Sequence, residues 1–328
     1  MKIQFQTKFE ITMSWFLVIL MFLASCFVLS WLSSRLVKDL IKVAKYLRWR
    51  EFTIAFFVMA FAVSLPNLFV DFNAALQGKY SLALGDILGG NLIDLTIVLA
   101  IAVFFSKKGL LTKSEMVQKS AIFTTAIAIL PLLLIVDGAL SRFDGLVLMA
   151  AFALYSFWIF SKKERFSKIY DNSKFENPVF DFKNFVKDLG KILLWILLLL
   201  ASSQLIIISA QFFADKFNAS LALIGLLIVG MGNAFPEMYF SIVTARKEHN
   251  YLVLGDLMGS VIVCSTLVLG IIAFILPFEI GDLAPFLTAR IFLVAAALLS
   301  LLFIKTGKKI TKKEGFLLLG MYILFLIF

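Results

Sequence analysis

Apolar residues run along this chain in long continuous blocks, at about 13–33, 52–76, 82–105, 119–136, 143–161, 191–213, 219–244, 250–276, 285–304 and 315–328. Each block approaches the roughly 20 residues that carry an α-helix across a bilayer, whereas barrel strands would alternate over about ten. The pattern predicts an all-α integral membrane protein with ten transmembrane helices. Composition agrees: 61% of the 328 residues are hydrophobic, mean hydropathy is +0.98, and only 16% are charged, against roughly 25% in soluble domains.

A net charge of +10 would raise nucleic acid as a partner if it formed one surface, but its placement gives another reading. The loops after the first, third, fifth, seventh and ninth blocks hold 25 Lys and Arg, and the N-terminus with the other loops holds 6. The positive-inside rule makes the first set cytoplasmic. Both termini are then expected outside a cytoplasmic (plasma) membrane, and a nucleic-acid role is excluded. Cys26 and Cys264 both fall in apolar blocks, where no disulfide framework is implied. "LASC" at 23–26 resembles a cleavage signal, but the apolar run continues through "FVLSWL" as a span does.

The chain is internally duplicated at a constant shift of 170 residues, as shown by "SLPNLFVDFNAALQGKYSLALGDILGGNLIDLTIVLAI" (64–101) and "AFPEMYFSIVTARKEHNYLVLGDLMGSVIVCSTLVLGI" (234–271). Pro66 meets Pro236, Gly85-Asp86 meets Gly255-Asp256, Gly89 meets Gly259 and Thr96 meets Thr266, without a gap. The copies occupy blocks 2 and 3 and blocks 7 and 8, so the repeat unit has five helices. An odd unit enters the membrane the second time with opposite polarity, giving the two inverted five-helix repeats common among secondary transporters. The expected organisation is a first repeat at 1–161 with its motif at 60–101, a cytoplasmic linker at 162–190, and a second repeat at 191–328 with its motif at 229–271. The linker reads as partly amphipathic, and 35–50, with Leu36, Leu40, Val43 and Leu47 at helical spacing, as the interfacial end of the first helix.

An acid at mid-membrane costs roughly 2.5–3.5 kcal/mol on insertion scales, so it normally faces a cavity and marks an ion path. Asp71, Asp94 and Glu237 lie deep in their blocks, and Asp86 and Asp256 lie one turn from a loop. Asp86 and Asp256 are candidates for an ion path or proton relay, with a helix-start cap as the structural alternative. Residues four apart share a face, which aligns Asp86, Gly90 and Asp94 on one helix and Asp256, Ser260 and Cys264 on its counterpart. Pro66 and Pro236 are expected to break their helices, freeing carbonyls near Val63 and Asn233. A Pro kink or a packing Gly is each commonplace alone; their joint recurrence points to function. Carbonyls with carboxylates form a hard-oxygen site suited to Ca2+ or Na+. His249, in "RKEHN", reads as a loop residue.

These residues resemble the sodium/calcium exchanger family, within the cation/calcium antiporter superfamily. Its repeats read approximately G-T-S-x-P-E and then G-N-x-x-G-S-N-x-x-N/D; here the second copy has "GNAFPE" and "GDLMGSVIVC", the first "AVSLPN" and "GDILGGNLID". The resemblance implies ion binding by Asn67, Asp94, Glu237 and Cys264, with Ser64 and Ser260 as hydroxyl ligands. Gly90 and Ala234 replace the corresponding serines. Where the family commonly has Glu, Asn, Glu and Asp, this chain has Asn, Asp, Glu and Cys, and Asp71, one turn beyond Asn67, could supply a further charge.

The reading is a non-enzymatic cation antiporter working by alternating access, without a cofactor and with a monomer sufficient for transport. It exchanges Ca2+ against Na+, or, in the alternative that fewer fixed charges favours, against H+. The resemblance further implies that the first and sixth spans move against the rest. Two other classes compete. An intramembrane aspartyl protease would use the two "LGD" aspartates, but the only "YD" (170–171) lies in the charged linker and no "PAL" occurs. A non-transporting relative would rest on Asn67 and Cys264 alone.

Overall fold

The fold is taken from a computed structural model that describes residues 14–46, 51–161 and 182–328, without the side chains of residues 37, 40, 41, 43–46, 51–63, 160, 161, 182–186 and 251. The first helices are α1 (Trp15–Tyr46) and α2 (Glu51–Leu76). The span Tyr80–Phe105 is α3, followed by α4 (Glu115–Leu134) and α5 (Arg142–Ser161). The chain resumes with α6 (Phe182–Phe217) and a bent pair, α7a (Leu221–Asn233) and α7b (Phe235–Arg246). α8 begins at Asn250 and runs to Ile275, followed by α9 (Ala284–Thr306) and α10 (Lys312–Ile327). Among the described residues seven helices are long and apolar enough to cross a membrane, or eight with the bent pair as one span. This is a multi-pass integral membrane protein.

Boundaries differ from the hydropathy reading where charged ends continue a helix. α1 extends through the basic stretch to Tyr46, and α6 starts at Phe182, nine residues before the expected start of its apolar block. A helix satisfies its own backbone groups, so it has no reason to stop where its apolar run does. Linker residues 162–181 lie outside the described residues.

Among the described residues two large apolar cores form, with a small third cluster at Ile127, Tyr155 and Ile262. One joins α1 and α6 to faces of α2, α3 and α7a, through residues such as Leu29, Leu36, Leu199 and Ile206. The other unites α3, α4, α5, α8, α9 and α10. α1 lies along α6 through aromatic contacts: Trp15 on Phe212 and Phe217, Phe22 on Phe213, and Trp31 edge-on to Trp195. Such pairs add about 0.5–1.5 kcal/mol each beyond burial.

Short antiparallel clips tie loops of the second core. β1 (Leu110–Leu111) pairs with β4 (Lys309–Ile310), and β2 (Ala139–Leu140) with β3 (Phe278–Glu279). α3 and α7a cross with their backbones almost touching. A Cβ at Gly89 would lie 2.2 Å from the Leu226 carbonyl oxygen, so only glycine allows the approach. This crossing fixes α3, which carries Asp86 and Asp94, against α7a, which leads into Glu237 on α7b.

Candidate functional site

The proline-bearing helices behave differently. α7 is interrupted at Ala234 (φ −80°, ψ −8°) and bends by 40° between its halves. Pro236 stands in the first turn of α7b, where a missing N–H costs nothing, and Glu237 follows it into the protein interior, 4% exposed. α2 instead runs as one helix through Pro66, so the break expected there is corrected to a continuous helix. Proline deletes one backbone hydrogen bond, and a transmembrane helix tolerates that when the rest of its ladder holds. Val63 lies in α2 with its side chain outside the described residues.

At the motif ends of α3 and α8 the backbone loosens in the same way. Asp94–Val98 and Val263–Val268 are π-helical, a one-turn widening frequent at functional sites. In each, a threonine hydroxyl donates to the carbonyl four residues back, Thr96 to Leu92 and Thr266 to Ile262. The Leu99 N–H accordingly reaches the Asp94 carbonyl and the Leu269 N–H the Cys264 carbonyl, five residues back. Asp94 and Cys264 thus sit on locally widened turns.

The acids gather in two neighbouring groups. Asp94 lies beside Ser260, and Glu237 lies near Asp94 and Asp256. In the second group Asp71 lies beside Asp86, and Asn233 Nδ2 donates to Asp86 Oδ2 at 2.6 Å. Between the groups, Asn67 Nδ2 donates to Cys264 Sγ at 3.3 Å. The duplicated positions are not equivalent in depth: Asp86 is 2% exposed, while Asp256 is half-buried. A cavity of about 20 Å3 borders Asp94, with Thr124, Thr125 and Ser300 in its wall, room for about one water.

Acceptors outnumber donors. Both oxygens of Asp71, one each of Asp86, Asp94, Glu237 and Asp256, the Asn67 carbonyl and the Ser64 hydroxyl are buried without a partner. Carboxylates only accept, and buried groups of this kind normally find a partner. The deficit is of positive charge, which cations or protons supply. Among the described residues, none of these acids pairs with Lys or Arg, and no three acidic, His or Cys side chains converge as a ready metal cage.

Three polar residues were not singled out from the sequence. Asn91 Nδ2 donates to Ser265 Oγ at 2.8 Å, joining α3 to α8 beside the acids. Asn91 stands in "GGNLID", at the asparagine of the exchanger motif, and that was its available signal. Ser241, the counterpart of Asp71 at the 170-residue shift, is fully buried with an unpartnered hydroxyl.

The sequence model of the sodium/calcium exchanger protein family matches residues 17–161 and 188–328. The chain is 27% identical over 302 residues to the CaxA protein of Alkalimonas amylolytica, covering 90% of this chain and 93% of that one. It is 23% identical over 329 residues to the sodium/calcium exchanger MaX1 of Methanosarcina acetivorans, covering 90% and 93%. Among solved structures, the fold is similar to the sodium-calcium exchanger NCX_Mj soaked with 10 mM Na+ and zero Ca2+, with TM-score 0.60 at 22% identity over 95% of this chain and 98% of that one. It is also similar to the H+/Ca2+ exchanger CAX, with TM-score 0.72 at 19% identity over 95% and 82%. The protease alternative finds no support among these relatives.

Proposed function

The chain belongs to the sodium/calcium exchanger family, and from that premise we propose that it exchanges Ca2+ for Na+ across a cytoplasmic membrane by alternating access. The observation that carries this reading is the row of buried carboxyl oxygens without donors between Glu237 on α7b and Asp94 on α3. Asn67, Ser64, Ser260 and Cys264, with carbonyls near Val63 and Asn233, complete the proposed binding route, and Asp71 adds charge to it. Asp86 and Asp256 flank it as relay groups. No cofactor is required, and one chain suffices.

The proposed architecture is ten membrane helices in two inverted halves, 1–161 and 191–328, with the linker 162–190 cytoplasmic and both termini outside. Its support is periodic. The π-helical segments of α3 and α8 start 169 residues apart, β2 and β4 start 170 apart, and β1 and β3 start 168 apart, counting from Asp94 and Val263, Ala139 and Lys309, Leu110 and Phe278. A two-fold relation between halves also requires β1 to pair with β4 when β2 pairs with β3, as they do. The separate core around α1 and α6 suits a pair that slides against the rest.

Proton-coupled exchange is the second reading, favoured by Asn67 and Cys264, which leave two carboxylates at the four central positions. In vesicles, Ca2+ uptake is measured under a Na+ gradient and under a pH gradient, for the wild type and for Glu237→Gln. Uptake that survives the substitution undiminished removes Glu237 from the site, and the gradient that drives wild-type uptake identifies the coupling ion. Calorimetric Ca2+ binding by the purified protein, without transport, would point instead to a non-transporting relative.

A further inference from the structure

The two strand clips share a build and differ in charge. Beside the β2–β3 clip stand Asp137, Asp144, Glu279 and Asp282. The β1–β4 clip draws together two lysine-rich loops, 106–114 and 307–311, and locks them closely. Thr112 N–H donates to the Lys308 carbonyl at 2.8 Å, and the Thr112 hydroxyl to the Ile304 carbonyl at 2.9 Å. Gly109, at φ +80°, lies so near that a Cβ there would be 2.4 Å from the Ile310 carbonyl oxygen. A third loop joins them: Lys107 N–H donates to Glu248 Oε1 at 2.8 Å, and the Arg246 guanidinium rests 4.7 Å above the Phe105 ring.

The acids in this region are already engaged. Glu248 accepts from the Lys107 backbone, Glu314 accepts from the Thr311 N–H at 2.6 Å in the cap of α10, and Glu115 pairs with Lys119. Lys107, Lys108, Lys308, Lys309, Lys312 and Lys313 are exposed, and among the described residues none of them is in an ion pair. Packing has brought a net basic platform together from loops about 200 residues apart.

We propose that this platform binds the phosphate groups of anionic phospholipids in the adjacent leaflet. The loops leave the apolar helices at Phe105 and Thr306, so the lysines stand at headgroup depth, where basic clusters next to membrane helices attract anionic lipid. Phe316, 65% exposed in the first turns of α10, offers apolar surface next to Lys312 and Lys313 that a soluble polyphosphate would not use. The platform belongs to the second core, which excludes α1 and α6, so bound lipid holds the part of the protein against which that pair moves.

The test uses the full chain in nanodiscs of phosphatidylcholine with or without phosphatidylglycerol, with retained lipid counted by native mass spectrometry after detergent release. Phosphatidylglycerol is retained by the wild type and by Lys→Arg at 308, 309, 312 and 313. It is retained at least about tenfold less by Lys→Gln at the same four positions, at an unchanged melting temperature. Should that variant fail to fold, Lys107→Gln with Lys108→Gln tests the same surface and carries the same expectation. Equal retention by wild type and neutralised protein overturns the proposal. So does tripolyphosphate binding as tightly in pure phosphatidylcholine discs, since the partner would then be a soluble anion. Neither outcome depends on cation exchange.

Discussion

Asp94 and Cys264 occupy matching turns of the two motifs, yet one presents a carboxylate and the other a thiol that accepts from Asn67 at 3.3 Å. A hydrogen bond from Asn67 suits a neutral spacer, and the charge at the centre then rests on Asp94 and Glu237. Asp94→Asn is expected to weaken Ca2+ binding about tenfold or more, the loss of one charged partner, as measured by calorimetry. Cys264→Ser keeps the shape and an acceptor, so uptake within about twofold of the wild type is expected. A loss as large as that of Asp94→Asn would make the thiol a ligand.

Between helices, the distance of closest approach sets the cost of a substitution. Where α3 crosses α7a, Gly89→Ala forces a methyl into backbone and is expected to cost about 1–3 kcal/mol, read as a lowered melting temperature in detergent. At the other end of α1, beyond its membrane span, Asp39 Oδ2 accepts from Trp195 Nε1 at 2.8 Å and Oδ1 pairs with Lys42 at 2.7 Å. Burial disfavours the charged form of Asp39, but the bonds from Lys42 and Trp195 and the charges of Lys42 and Lys191 outweigh it, leaving the carboxyl below its ordinary value. A lowered folded value means stabilisation that is present above the unfolded value of about 3.9 and lost as pH falls through the folded one. Melting temperatures of the wild type and Asp39→Asn should therefore differ near neutrality and converge in acid. A gap unchanged across that range would remove Asp39 as the cause.

Across the whole molecule, the separation into two cores predicts that the α1–α6 pair can be caught in place. A Cβ at Gly232 would lie 2.9 Å from Cys26 Sγ on α1 and 2.7 Å from the tip of the Phe22 ring, which must turn aside; the spacing to the sulfur is one that disulfide geometry accepts. Gly232→Cys, oxidised against Cys26, is expected to abolish uptake in vesicles, and reductant to restore it. Full uptake in a fully cross-linked sample would mean that α1 does not move relative to α7a.

Much of this was legible in one dimension. Burial of whole apolar blocks depends on summed hydropathy, so the membrane helices could be read from the sequence, as could the depth at which Asp94 and Glu237 are buried. Other features depend on contacts between residues far apart in the chain. The Asn67–Cys264 bond spans 197 positions, Asn91–Ser265 spans 174 and Asn233–Asp86 spans 147, and no local pattern encodes such pairings. The two prolines make the same point: at matching positions of the repeat, Pro236 stands in the first turn of a new helix while Pro66 lies within a continuous one, because the surrounding packing determines whether the rest of the ladder holds. Likewise, the lysines counted as topology became a surface only when two strands of two residues each brought their loops side by side.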